Sequence, residues 1–147
     1  IHYMFKYFFM IFYFGLNILF YLNIIIDSID KNDSYLIDLI NQSYHYHKRV
    51  LREAENGIKD YDFMKVRNSH KIVSHIDNVA SDFTGKTKLI IDSEVLGNKK
   101  GSKWYIEYFS TPSYYRARKI AYRVFLENIE GLGENIYRHS IELSSES

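Results

Sequence analysis

The chain of 147 residues suits one domain with a modest core and argues against a multidomain enzyme. Its 19 Lys and Arg nearly balance 18 Asp and Glu, so any nucleic-acid footprint must be local, and the absence of Cys excludes disulfide frameworks, thiolate metal sites and cysteine nucleophiles. That absence fits a reducing cytoplasm, and the abundance of Tyr, Phe, Ile, Asn and Lys beside one Pro and 7 Gly is the bias of AT-rich codons.

Residues 1–26 form a hydrophobic segment. No charged residue occurs from Tyr7 to Ile26, and about 20 apolar-leaning residues at ~1.5 Å each cross a bilayer core. Lys6 precedes the run and Asp27, Asp30 and Asp33 follow it, which would hold the N-terminus in the cytoplasm and put the rest outside. The other reading is a mis-extended N-terminus, since the chain begins with Ile and the segment is what translated AT-rich upstream sequence gives. No small-residue cleavage pattern marks a signal peptide. All-round hydrophobicity also exceeds what a small domain can cover as a core helix. The chain is therefore either cytoplasmic or anchored to a membrane through 7–26.

Residues 27–33 are polar and acidic and are expected to form a linker, with Asp33 or Ser34 as N-cap. Leu36, Ile40, Tyr44, His47, Leu51, Ala54 and Ile58 then recur every three or four residues, which predicts an amphipathic helix weakened at Gly57. After Asp60-Tyr61-Asp62, Phe63, Val66, His70, Val73, Ile76, Ala80 and Phe83 repeat the pattern. A helical hairpin over 34–84 is expected.

Residues 85–130 carry three further predicted helices. Leu89, Ile90, Ile91, Val95 and Leu96 give a short apolar one that stops at Gly97. Trp104, Tyr105, Ile106, Tyr108 and Phe109 give a compact one started by Ser102. The third runs from Pro112 to Ile129, with Thr111 as its N-cap. Residues 131–147 form a polar tail rich in Ser and Glu, expected to fray. Period-2 alternation is nowhere sustained, so the fold class is all-α: a hairpin followed by a three-helix helix-turn-helix unit.

Within the last helix, Tyr114, Ala117, Ala121 and Phe125 make one continuous stripe, predicted to face the preceding helices. The opposite side is predicted to display Ser113, Tyr115, Arg116, Arg118, Lys119, Tyr122 and Arg123, with no acidic residue between Ser110 and Leu126. A locally cationic, aromatic-laced helix face matches an element seated among phosphates. Ser113, Arg116 and Lys119 are the expected groove contacts, Arg116 as a bidentate donor to guanine. Arg118 and Arg123 are the expected phosphate contacts.

The run Ser110-Thr111-Pro112-Ser113-Tyr114-Tyr115-Arg116-Ala117-Arg118-Lys119-Ile120-Ala121-Tyr122 resembles the recognition helix of phage-type regulators related to the autolysin-regulatory (ArpU) proteins, which in turn resemble region 4 of sigma factors. The resemblance covers Gly85 to Ile129. It departs from that pattern at the loop Gly97 to Ser102 and at Trp104-Tyr105-Ile106-Glu107-Tyr108, where a polar, Glu-rich helix is usual. It implies a non-enzymatic transcriptional regulator that needs no cofactor, with double-stranded DNA as partner and RNA polymerase as a second one. The contrasting expectation is a membrane-anchored helical protein-interaction module.

Other motifs carry less. Gly85-Lys86-Thr87 satisfies a loose phosphate-loop pattern, but such a loop follows a buried strand, and the residues before it have helical spacing. His45 and His47 are two apart and His70 and His75 five apart, spacings that do not share a helix face for metal binding. His47 and His70 fall on predicted apolar faces, where a hydrogen-bonded core histidine is the ordinary outcome. Asp27, Asp30 and Asp33 lack the glycine and terminal glutamate of a calcium loop.

Overall fold

The computed structural model describes residues 31–129, and among these every regular element is helical, so the described part of the chain is all-α. From Asp33 on, the described residues belong to one compact unit. The readings of the segment 1–26 and of the tail 131–147 fall outside the described residues. Among the described residues no helix is long and apolar enough to cross a membrane.

The first helix, α1, covers residues 31–55. It is already formed at 31, so Asp33 and Ser34 sit inside it rather than capping it. Their oxygens have tertiary partners instead: Asp33 accepts from Arg123, and Ser34 accepts from Lys100. Ile37, Ile40, Tyr44, His47 and Val50 turn one face inward. The helix ends in a left-handed Gly57 (φ 63°), with Gly57 N–H bonded to Ala54 O and Ile58 N–H to Glu53 O, the Schellman pattern that satisfies the last carbonyls. Ile58, counted from its spacing as part of the apolar face, consequently lies past the helix and is exposed.

Helix α2, Phe63–Ser81, starts where the Asp62 carboxylate accepts the Lys65 N–H at 2.9 Å. Its buried stripe is Ser69, Ile72, Val73, Ile76, Val79 and Ala80. Two members of the expected face are displaced from it, for Phe63 and His70 are exposed. The stripe passes through Ser69 because that small hydroxyl meets His47 Nδ1 at 2.8 Å inside the core. Tyr44 on α1 similarly donates to Asp77 on α2 at 2.8 Å.

Helix α3, Gly85–Ile90, runs directly into a π-helical turn, Ile91–Val95, closed by Leu96 N–H to Ile91 O at 3.1 Å. The chain then doubles back so closely that a Cβ on Gly97 would stand 2.6 Å from Ser93 O and 2.9 Å from Asp92 O. Asn41 on α1 holds this corner, donating to Val95 O and Gly97 O at 2.8 Å each. The expected fourth helix is a single 3-10 turn, Trp104–Glu107. Ser102 does not cap it, since its hydroxyl donates back to Lys99 O at 2.6 Å.

The last helix, α4, is Thr111–Ile129. It begins one residue earlier than expected, because the capping oxygen belongs to Ser110, which accepts the Ser113 N–H at 3.4 Å. Helix α4 packs against α2, α3, the π turn and the 3-10 turn. Ile76, Ile90, Ile91, Val95, Ala121 and Phe125 are fully enclosed at this junction. Full burial of each large apolar side chain stabilises the fold by about 1.5–3 kcal/mol.

Candidate nucleic-acid interface

The position of α4 is set by a carboxylate in the π turn. Glu94 is 1% exposed and accepts from Trp104 Nε1 at 3.0 Å. It also accepts short hydrogen bonds from the hydroxyls of Tyr114 and Tyr122 on α4. One buried acid thus satisfies two buried hydroxyls and a half-buried indole N–H from two elements, which removes the penalty each would otherwise carry. Burial first, and the bond to Glu94 second, push the Tyr114 hydroxyl up to about 12. The same two causes raise Tyr122 well above the usual phenol range. Tyr114 also stacks flat on Tyr105, with centroids 3.8 Å apart and planes 4° apart, and meets Trp104 edge-on at 6.0 Å.

This anchoring corrects part of the expected outer face. Tyr122 is buried, because it follows Ala121 by one residue and precedes Leu126 by four, so it falls beside the apolar stripe. Arg118 is half-buried and stands over the rings of Tyr114, Tyr115 and Tyr122, with its guanidinium carbon 5.8, 5.4 and 5.4 Å from their centroids. It follows Tyr114 by four and precedes Tyr122 by four, a spacing that places it on the tyrosine side of the helix. Arg123 is exposed but donates to the buried Asp33 at 2.8 Å. Ser113 is half-buried at the helix start, and its hydroxyl accepts from Ser110 Oγ at 2.8 Å.

Tyr115, Arg116 and Lys119 do share an exposed face, the remainder of the expected site. Ile120 joins them and is 61% exposed. The periodicity contained both Ile120 and the Arg118 position: Ile120 is one turn after Arg116, opposite the Tyr114–Ala121–Phe125 stripe. Glu94 had no such signal, since an acid two residues after Asp92 gives no sign of which donors will reach it.

Gly85-Lys86-Thr87 follows helix α2, not a strand. Among the described residues no group of three His, Asp or Glu side chains could hold a metal ion. Comparisons of the chain with protein-family models, with curated proteins and with solved structures find no match.

Proposed function

We propose that this chain is a small, non-enzymatic DNA-binding transcriptional regulator. In this reading α1 and α2 form a supporting hairpin, while the 3-10 turn and α4 form a helix-turn-helix whose second helix enters the major groove. The observation that carries it is the exposed face of Tyr115, Arg116 and Lys119, on a helix without an acidic side chain from Ser110 to Leu126, in a chain whose net charge is only +1. The resemblance of Ser110 to Tyr122 to autolysin-regulatory and sigma region 4 helices adds support and makes RNA polymerase a further partner. Arg118 lies over tyrosine rings and Arg123 bonds to Asp33; the contact set is taken, on exposure, as Tyr115, Arg116 and Lys119, with Ser113 at the helix start.

The test is binding of the full chain to duplexes drawn from a random pool, measured across a salt series. Arg116→Ala combined with Lys119→Ala should weaken binding at least tenfold and flatten the slope of log K against log salt by up to about 1.8, the release expected for two phosphate neutralisations. Unchanged affinity and slope would overturn the reading.

A helical protein-interaction module is the second reading, favoured by Ile58, Phe63 and Met64, all exposed around the bend between α1 and α2. Under it, Phe63→Ser with Met64→Ser abolishes function in the cell, while the Arg116 and Lys119 substitutions do not.

A further inference from the structure

The loop after the π turn folds back toward α1 and leaves a cleft of about 390 Å³ beside it. Asp38 and Asn41 on α1, Glu94 in the π turn, and Asn98 and Lys100 in the loop line this cleft. Its size is that of a small-molecule site. Its chemistry follows from which polar atoms already have partners. Lys100 Nζ has three hydrogens and gives them to Ser34 O, Ser34 Oγ and Asp38 Oδ1 at 3.2, 2.8 and 2.6 Å. Asn41 Nδ2 has two and gives them to Val95 O and Gly97 O. Apart from Asn98, the lining side chains have therefore committed their donors and keep acceptors. Asp38 Oδ2 and Asn41 Oδ1 accept from no described group. Glu94, 1% exposed, adds a second carboxylate at the buried end, so two acids face one ammonium in the lining.

We propose that this cleft binds a small protonated amine, whose N–H groups bond Asp38 Oδ2 and Asn41 Oδ1 while its charge balances the excess carboxylate. An anion would meet two acids there, and a neutral alcohol would leave their charge unbalanced. The acceptors are held in place before a ligand arrives, Asn41 by its two bonds to the loop and Asp38 by Lys100, which lowers the ordering cost of binding. Glu94 projects from a π turn, an element that recurs at functional sites. None of the lining residues belongs to the exposed face of α4, so this inference does not depend on the DNA-binding reading.

The experiment is titration of the full chain with ethanolamine at neutral pH and constant ionic strength. It is followed by the backbone amide shifts of Gly97 and Gly101 and by Trp104 fluorescence, because the indole bonds to Glu94. Saturable binding is expected. Tetramethylammonium has the charge without an N–H, and ethylene glycol has hydroxyls without the charge. Each should bind at least about tenfold more weakly, the factor for loss of one charge-assisted hydrogen bond. Asp38→Asn should weaken ethanolamine by a similar factor. Asn98→Phe, a substitution at an exposed position of the lining, should block the cleft and abolish binding, which keeps the test independent of the Asp38–Lys100 pair; an unchanged Tm confirms that each variant is folded. Absence of saturation by ethanolamine overturns the inference, as does equal binding of tetramethylammonium or ethylene glycol, or full binding by either folded variant. Binding of Nα-acetyl-lysine amide without binding of ethanolamine would assign the acceptors to a lysine side chain of a protein partner, and the inference fails there too.

Discussion

Tyr122 on α4 donates its hydroxyl to Glu94, 28 residues earlier in the π turn, in a site closed to water. Glu94 also takes Tyr114 and Trp104, so its removal leaves two buried hydroxyls and a half-buried indole N–H without this acceptor. Glu94→Ala should therefore destabilise the protein by about 3–5 kcal/mol, given roughly 1–3 kcal/mol for each unsatisfied group and some relaxation. Tyr122→Phe, which removes one donor and leaves Glu94 two, should cost less. Urea unfolding monitored by Trp104 fluorescence separates the two; equal losses would mean that the carboxylate does not organise the cluster.

The same tyrosines predict alkaline lability. Both hydroxyls are raised in the folded protein above the ordinary phenol value of 10.0, Tyr114 to about 12. The folded state therefore holds protons that the unfolded chain has already released. Stability from this source is fully present below pH 10 and is lost as pH rises toward the folded values. Tm measured from pH 8 to 11.5 should fall above pH 10, and Tyr114→Phe should show a shallower fall.

Gly97 tests the π turn by space rather than charge. A methyl group there meets two backbone oxygens of the preceding turn, which cannot rotate away as a side chain would. Gly97→Ala should cost about 1–3 kcal/mol, visible as a lower urea midpoint. Ala at Asn98, which is exposed, should stay within about 0.5 kcal/mol.

The cap of α4 is equally open to measurement. Ser110→Ala should cost about 1 kcal/mol, as loss of an N-cap oxygen does, whereas Thr111→Ala should be nearly neutral. The reverse order would return the cap to Thr111.

Arg118 has a different expected signature from Arg116. Its guanidinium lies over three tyrosine rings, so Arg118→Ala should lower stability by about 1 kcal/mol and leave the salt slope of DNA binding unchanged. A slope that drops by about one unit would show that the side chain leaves the rings for a phosphate.

Local signals read well where one residue decides the outcome. Asp60-Tyr61-Asp62 separates α1 from α2, Gly57 ends α1, and Tyr114, Ala121 and Phe125 face inward because the 3.6-residue period leaves them no other side. Readings failed where a distant partner decides. Ser69 displaced His70 from the core because His47 supplied a hydrogen bond across the helices. Ser34 gave up its capping role to Lys100, 66 residues away. The Trp104 segment has helical spacing, but Tyr105 has to stack on Tyr114 while Trp104 reaches Glu94, and one 3-10 turn is what connects those two positions. At the candidate face, the residue types were legible, but the side on which Arg118 and Tyr122 fall was misread because cationic and aromatic identity outweighed spacing.

The pair Asp33–Arg123 joins α1 to the fourth turn of α4 over a separation of 90 residues, and Lys100 bonds to Ser34 and Asp38 beside it. The described chain is therefore laced shut near its beginning. A fusion or cut placed at Asp33 will alter the candidate face although it lies far from it in the chain, whereas an insertion at the bend between α1 and α2 will not.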